Sequence, residues 1–416
     1  MTEILYRNIN EAGPEIASQF DIAALNPDFY EKPYPIYHAL RRHDPVHKMA
    51  SGGWFLTCYQ DIDRIYHDPV TFSSDKREDF KKTMGNTALY EHHTSSLVFK
   101  DPPKHTVVRK RLAPAFAPRA VRQLKSRVID VVNQSIDNVA AMKSFDLVHD
   151  FAMKLPIELI ADMLGVPQED RSKLSPWAVA ILGGLEANLS LKRRDEAARA
   201  VEEFKEYLRW LIAEKKKKPI ATTNGEVLYK LIGPDEHGNS LSELDLLHNC
   251  IFLLNAGHET TANTVTNGID MLVNHPDQLS CLRRDADLIS GAIEETLRFE
   301  SPVQLSNRKL TSDAEIAGVQ MVAGDYIWLC IGAANRDPKV FDDPDTPNIR
   351  RRPNRHLAFG SGIHVCAGMS LGRMEAEIAL NAFVRRFSKI ELLSEAKHYR
   401  RARFRGFKRY PVIVSA

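Results

Sequence analysis

The sequence is sparing with sulfur, with net charge and with long apolar runs. Only five cysteines occur in 416 residues: Cys58, Cys250, Cys281, Cys330 and Cys366. They are odd in number and far apart, with no Cys-x-x-Cys pair. That excludes a disulfide framework and a cysteine-rich zinc site, and it fits a reducing setting. Cys58, Cys250, Cys281 and Cys330 sit in mixed or apolar runs and read as packing residues. Formal net charge is only +2, so no whole-protein field points to nucleic acid or another charged partner. The opening stretch, residues 1–8, is polar. It has no apolar segment long enough for a signal peptide or a membrane span, and the expectation is a cytoplasmic chain without a membrane anchor.

What is present is an ordinary globular composition, 44% hydrophobic and 26% charged, with ample material for a core. Helix signals cover 36–42 and 61–67, with a strand over 54–58 after Gly52-Gly53. Residues 73–100 read as polar and irregular, and the pair His92-His93 reads as surface. Apolar spacing of three and four predicts helices over 121–139, 151–163 and 197–212. Gly183-Gly184 reads as a helix end, and the run Lys215 to Lys218 as a solvated one. A long helix is predicted from 241 to 275, with Ser242 as its N-cap and acids in its first turn. At 1.5 Å per residue it would span about 50 Å. Residues 317–325 alternate like a hairpin.

Four constellations carry chemistry. The first is Phe359-Gly360-Ser361-Gly362-Ile363-His364-Val365-Cys366-Ala367-Gly368. Its glycines permit turns that a Cβ resists and let backbone lie close to a flat ligand. A helical sequence follows, so Cys366 would stand where a loop enters a helix, a place that favours thiolate. A thiolate held in such a loop can bind haem iron; by itself the pattern also suits a structural cysteine beside a turn. The second is His105 and Arg109, four apart on one helix face, which could clamp a carboxylate or simply meet solvent. The third is Ala256-Gly257-His258-Glu259-Thr260-Thr261 inside the long helix. Ala256-Gly257 would admit a flat ring, and a Thr hydroxyl can bond back to a carbonyl and loosen the helix. Glu259 and Thr260 side by side could relay protons. The fourth is Glu295 and Arg298, three apart, a possible intrahelical ion pair.

Together these motifs resemble cytochromes P450. The six fixed positions of the cysteine loop alone would match by accident on the order of 10⁻⁸ per window, and the likeness runs from about residue 30 to 415. The resemblance implies a mainly α fold with a smaller β part (α+β), haem b lying between the long helix and the cysteine loop. It implies one domain over 1–416, because motifs of a single site are scattered along the chain, and the soluble, bacterial-type branch of the family. Cys366 would be the iron ligand. His105, Arg109, Arg308 and His364 would neutralise the propionates, with Phe359, Gly368, Ala256 and Gly257 against the ring. Thr260 with Glu259 would deliver protons during O₂ cleavage. Glu295 and Arg298 would be structural, tying their helix to the meander before the cysteine loop. Ala333 to Pro338 would likewise be structural.

The implied reaction is insertion of one oxygen atom of O₂ into a C–H bond of a lipophilic small molecule. Leu97, Val98, Leu254, Val303, Leu305, Phe404 and Phe407 are the candidate pocket residues, and Gln304 could orient a polar group. Only 50 residues follow Cys366, too few for a fused reductase domain. The expectation is therefore a monomer served by a ferredoxin or flavodoxin with its reductase, docking on a basic set of Lys110, Arg111, Arg350, Arg351, Arg352 and Arg355. A P450-like peroxygenase or isomerase and a non-enzymatic haem sensor are the alternatives.

Overall fold

Sixteen helices and twelve strands make up the described parts of the computed structural model, residues 13–186, 188–217, 227–235 and 238–415. The helices are α1 Pro27–Glu31, α2 Tyr34–His43, α3 Tyr59–His67, α4 Arg77–Met84, α5 Ala88–Ser95, α6 Lys104–Leu112, α7 Pro118–Ala140 and α8 Lys154–Leu164. They continue with α9 Leu174–Gly183, α10 Leu191–Lys216, α11 Val227–Ile232, α12 Glu243–Asn274, α13 Pro276–Arg284, α14 Ile289–Phe299, α15 Ile331–Ala334 and α16 Met369–Arg386. The strands are β1 Val46–Lys48, β2 Trp54–Leu56, β3 Phe72–Ser73, β4 Ser144–Asp146, β5 Leu305–Leu310, β6 Ala314–Ile316, β7 Val319–Met321, β8 Tyr326–Cys330, β9 Lys389–Leu392, β10 Lys397–His398, β11 Phe407–Arg409 and β12 Pro411–Ser415. Residues 1–8 and Lys218 lie outside the described residues.

Packing divides the chain into two units. The first is Met1–Ser74, Asn263–Cys366 and Phe387–Ala416. Its frame is a five-stranded sheet in the order β1-β2-β8-β5-β3, with β2 and β8 parallel and the other pairs antiparallel. Successive side chains of a strand point to opposite faces. Trp54, Leu56, Ile327 and Leu329 accordingly enter one apolar cluster with Ile62 and Ile65 of α3. Phe55, Trp328 and Cys330 enter another with Tyr37 and Leu40 of α2. The central strands are therefore covered on both faces. β6 and β7 form the small hairpin, turning at Ala317 and Gly318, both with positive φ.

The second unit is Asp75–Ala262 and Ala367–Arg386, and it is helical apart from β4. Its core joins α5, α6, α8, α9, α10, α11 and the first half of α12 through residues such as Leu89, Ile160, Phe204, Leu208, Ile251 and Leu254. α7 packs on α16, and α9 on α10. Gly184 follows the last residue of α9, where a Cβ would press on Leu89 at 2.9 Å. α8 does not begin at 151. A π-helical turn over Leu147–Ala152 precedes it, capped by Asp146.

α12 has 32 residues. Ser242 Oγ accepts from Asp245 N at 3.0 Å and donates to the Asp245 carboxylate at 2.8 Å, a reciprocal cap. Pro276 then opens the next helix. The irregular stretch predicted for 73–100 is instead mostly ordered: α4, α5 and a 3₁₀ turn over Leu97–Phe99 occupy it. Thr87 caps α5 by accepting from Tyr90 N. The pair His92-His93 is not at the surface. Both are 2% exposed, because α5 is buried between its neighbours by polar residues as well as by Leu89.

Candidate functional site

In the first unit the cysteine loop is shaped by its glycines. Gly360 and Gly362 take φ of 67° and 65°, a region that favours glycine. A Cβ on Gly362 would also collide with the Tyr66 carbonyl. Cys366 N donates to Phe359 O at 2.9 Å, closing the loop on itself. A 3₁₀ turn over Gly362–His364 leads to Cys366, which is exposed three residues before α16. Burial pushes the thiols of Cys250 and Cys330 up to about 12, so those two remain packing thiols. Arg308, 6% exposed, lies 5.1 Å from the Tyr66 ring centroid.

The approach to the loop is held by one wholly buried ion pair. Arg298 makes two bonds to the Glu295 carboxylate, 2.7 and 2.9 Å. Its remaining nitrogen donates to Asn335 O and Pro344 O. Glu295 also accepts from Asn348 N, Asn354 Nδ2 and Arg351 Nε. Asn335 Oδ1 in turn accepts from Leu357 N at 2.7 Å, two residues before Phe359. All three guanidinium nitrogens and both carboxylate oxygens of the pair are engaged, the condition under which a buried pair is not a liability. Arg351 therefore belongs to this knot and is not a free docking cation. In the second unit Arg111 is likewise engaged, with the carbonyls of Lys230, Leu231 and Gly233. Lys110, Arg350, Arg352 and Arg355 are exposed.

Two candidate pocket segments of this unit meet. Val303 and Phe404 form an isolated antiparallel bridge. Leu305 is buried in the core with Tyr37 and Phe55, and the Phe407 ring is stacked 4.2 Å from His398. Gln304 does not serve as an orienting group. It is 1% exposed, donates to Tyr34 Oη and Ser301 O, and fills the space left by Gly332.

In the second unit α6 carries His105 and Arg109 one turn apart. His105 is 4% exposed. Burial and then Arg109 hold its imidazole below the usual range. It is thus a neutral N–H donor beside a fixed guanidinium, a donor set suited to a carboxylate. Further on, α12 runs unbroken through the acid–alcohol motif. Thr260 Oγ1 donates to Ala256 O at 2.6 Å, so the hydroxyl satisfies the helix rather than opening it. Ala256 is exposed and Thr260 half-buried, whereas His258 and Glu259 are buried, at 0% and 1%. The acid and the alcohol thus leave the helix on different sides. Burial holds the His258 imidazole at about 4. A Cβ on Gly257 would meet Ile160 Cδ1 at 2.8 Å, so this glycine makes room for α8. On Gly368 a Cβ would meet nothing closer than Phe116 at 3.8 Å; chain packing does not demand glycine there. Leu254 and Leu97 are buried in the unit's core, and Val98 is 36% exposed.

These residues fit a haem. Among the described residues no cluster of three or more His, Cys, Asp or Glu could hold a bare metal ion. A single exposed sulfur suits an iron whose in-plane ligands come with a macrocycle, and Gly368 leaves backbone open beside it. Sequence reasoning missed two features. One is the polar seam of His92, His248 and Asn255. Its signal was the asparagine and histidine standing among the apolar residues of α12. The other is Glu375 of α16, 4% exposed, whose carboxyl burial pushes up to about 8.

Among the described residues no helix is long and apolar enough to cross a membrane. The family model for cytochrome P450 matches residues 186–398. A biotin biosynthesis cytochrome P450 of Bacillus subtilis is 34% identical over 396 residues, 92% of this chain and 97% of that protein. A vitamin D(3) 25-hydroxylase of Pseudonocardia autotrophica is 34% identical over 401 residues, 93% and 94% of the two chains. The crystal structure of P450BioI with a hexadec-9Z-enoic acid-ligated acyl carrier protein superposes with a TM-score of 0.87 at 33% identity, covering 93% of this chain and all of that one. The chain thus belongs to the cytochrome P450 family, as a haem-thiolate monooxygenase with the family's fold.

Proposed function

We propose that this chain, acting as a monomer and as one catalytic domain, uses haem b to insert one oxygen atom of O₂ into a C–H bond of a lipophilic small molecule. Electrons come from a separate ferredoxin or flavodoxin and its reductase. The single observation that carries the reading is Cys366, an exposed thiol fixed by a glycine-shaped loop at the entry to a helix. Cys366 holds the iron; His105, Arg109, Arg308 and His364 hold the propionates; Phe359, Gly368, Ala256 and Gly257 lie against the ring. When bound, the haem supplies the activation of O₂.

The chain's own residues manage protons and water. Thr260 Oγ1 spends its proton on Ala256 O and keeps lone pairs to accept a hydrogen bond at the oxygen-binding side. Glu259 is the buried carboxyl beside it that passes protons inward. Leu97, Val98, Leu254, Val303, Phe404 and Phe407 give the substrate an apolar, water-poor surrounding, whereas Leu305 is taken up by the core beside Tyr37 and Phe55. The names of the relatives support this class, one a vitamin D(3) hydroxylase and one crystallised with a fatty-acyl carrier protein. Exposed Arg350, Arg352 and Arg355, just before the cysteine loop, suit an acidic electron carrier.

The test is the reduced, CO-bound spectrum together with product analysis. The wild type is expected to show the red-shifted Soret band of a thiolate ligand, and Cys366→Ser to lose it. Product formation with O₂, ferredoxin and reductase supports the reading. Equal turnover with peroxide alone favours the peroxygenase, and an unshifted band in the wild type overturns the assignment.

A further inference from the structure

The net charge of +2 hides an uneven distribution. The last 30 residues hold eight Lys and Arg against two Glu, a net of +6, so the other 386 carry −4. Most of this charge stands on the β10–β11 hairpin, residues 397–409. Three of its cations turn to the protein. Arg405 answers the Glu300 carboxylate and the carbonyls of Tyr30 and Glu31. Arg403 donates to Leu305 O at 3.4 Å and lies 5.0 Å from the Trp328 ring centroid. Arg401 lies 4.7 Å from the Tyr399 ring centroid. The other four, Lys397, Arg400, Lys408 and Arg409, are exposed. Lys397 stands directly opposite Arg409 in the ladder, and like charges so placed repel. The hairpin is held against that cost by its next pair, His398 and Phe407. Their rings stack at 4.2 Å, and His398 Nδ1 is 2.8 Å from the Glu31 carboxylate.

Apolar surface adjoins the cations. Of the twelve large apolar side chains exposed among the described residues, three lie in this last segment: Leu392, Leu393 and Ile413, at 42%, 57% and 40%. Ile413 pairs with Glu391, and Leu393 N donates to Pro411 O at 3.0 Å. Leu393, two residues beyond Glu391, therefore shares the face of Ile413. Pro411 is two residues beyond Arg409, about 7 Å of extended chain, so leucine and cations stand close together. An acidic protein or a nucleic acid would engage the cations and leave adjacent leucines in water. An anionic lipid surface answers both, with charged headgroups outside and acyl carbon just beneath.

We propose that the exposed base of the β10–β11 hairpin, with Leu392, Leu393 and Ile413, is a peripheral docking surface for an anionic lipid bilayer. Each cation near such a surface contributes about fivefold in affinity. The same hairpin carries Phe404, bridged to Val303, so the docked element is also one proposed to line the pocket. That link to substrate alone rests on the proposed function; the docking itself does not.

The test is co-sedimentation of the purified haem protein with two kinds of vesicle. One is phosphatidylcholine alone; the other holds phosphatidylglycerol and phosphatidylcholine in equal parts. Binding is expected to the anionic vesicles only, in about 0.1 M NaCl, and to be lost in about 0.5 M, where exposed charges are screened. Lys397→Ala with Arg400→Ala is expected to weaken it about thirtyfold, two cations at about fivefold each. Leu393→Ser is expected to weaken it about tenfold with the same salt dependence. Arg350→Ala with Arg352→Ala is expected to bind as the wild type does, and all variants to keep its melting temperature and spectrum. Equal binding to both vesicles, binding to neither, or unchanged binding in the hairpin variants overturns the proposal. So does loss of binding in the Arg350 and Arg352 variant, which would place the contact on the other basic set. Retention on heparin that the hairpin variants lose, without vesicle binding, assigns the patch to an acidic macromolecule and overturns it too. A normal thiolate spectrum without vesicle binding overturns this inference alone. Vesicle binding without a thiolate spectrum upholds the docking and overturns the proposed function.

Discussion

Val303 and Phe404 face each other in an isolated antiparallel bridge, flanked by two backbone bonds of 2.8 Å, Gln304 N to Arg403 O and Arg405 N to Pro302 O. Backbone bonding of this kind does not depend on the side chains it carries. Phe404→Leu should therefore keep the fold and the haem content, with a stability loss of about 1 kcal/mol. If Phe404 faces substrate, the shorter side chain should weaken spin-shift binding of bulky lipophilic ligands about tenfold, the lower worth of one methylene contact in an apolar pocket, and move the position of hydroxylation. Unchanged affinity and product pattern across several ligands would remove Phe404 from the pocket.

The Glu295–Arg298 knot predicts a structural phenotype. Arg298 is the largest fully buried side chain of the chain's described residues, and its fork answers a carboxylate and two carbonyls at once. Lysine keeps the charge and cannot reproduce that geometry. Arg298→Lys should cost about 3–5 kcal/mol and give little haem-loaded protein, seen as a low melting temperature and a low ratio of haem to protein absorbance. Glu295→Gln should behave alike. Near-normal melting of either variant would show that the knot does not hold the approach to the cysteine loop.

Legibility followed how local each constraint is. The cysteine loop was readable because Gly360 and Gly362 answer a backbone demand within a few residues. The Glu295–Arg298 pair and the α12 cap were readable because three-residue spacing puts their partners on one helix turn. α4 and α5 were not, since their polar letters look like a loop until the two pack on each other and α10 covers α5. His92 was placed at the surface because the groups that receive it, His248 and Asn255, lie more than 150 residues away, and His93 because the rings of Phe80 and Phe99 that enclose it sit in a stretch read as irregular. The misplacement of Gln304 has the same cause. The room for its amide is made by Gly332, on a different element. Arg351 looked like one cation in a basic run until the buried carboxylate of Glu295 claimed it.

The Thr260 hydroxyl gives a functional prediction. Its bond to Ala256 O caps a satisfied helix turn, so its removal should not disturb folding. Thr260→Ala should bind haem and substrate normally yet divert electrons to peroxide. The product formed per reduced nicotinamide consumed should fall by up to about a hundredfold, the lower end of the usual contribution of one proton-handling group. Thr260→Ser, which keeps the oxygen, should restore coupling. Coupling that is unchanged in the alanine variant would remove Thr260 from proton handling.

The β6–β7 turn is a local test of backbone strain. Ala317 takes φ of 49° beside Gly318 at 81°. Both are left-handed values, and alanine tolerates them poorly. Asn-Gly is the preferred pair for such a turn. Ala317→Asn should raise stability by about 0.5–1 kcal/mol, read as a small upward shift in melting temperature with activity unaltered. A lower melting temperature would mean that the asparagine side chain finds no accommodation at this turn.

Glu375 makes stability depend on pH in a direction opposite to most carboxylates. Burial pushes its folded-state carboxyl up to about 8, from the 4.5 of a free glutamate. Between those values the folded chain keeps a proton that the unfolded chain has lost. Its contribution is therefore fully present below about 4.5 and drains away as pH rises towards 8. Integrated over that window the loss is roughly 4–5 kcal/mol, at about 1.4 kcal/mol for each pH unit. His258 acts at the other end. Its folded value of about 4 lies below the 6.5 of a free imidazole, so its penalty begins as pH falls through 6.5 and is complete near 4. Glu375→Gln keeps the shape and removes the titration. The variant should match the wild type near pH 4.5 and be the more stable of the two at pH 8, measured by denaturant unfolding at a series of pH values. Parallel curves at all pH would show that Glu375 is charged and paired in the folded protein, and that its burial is compensated by a partner.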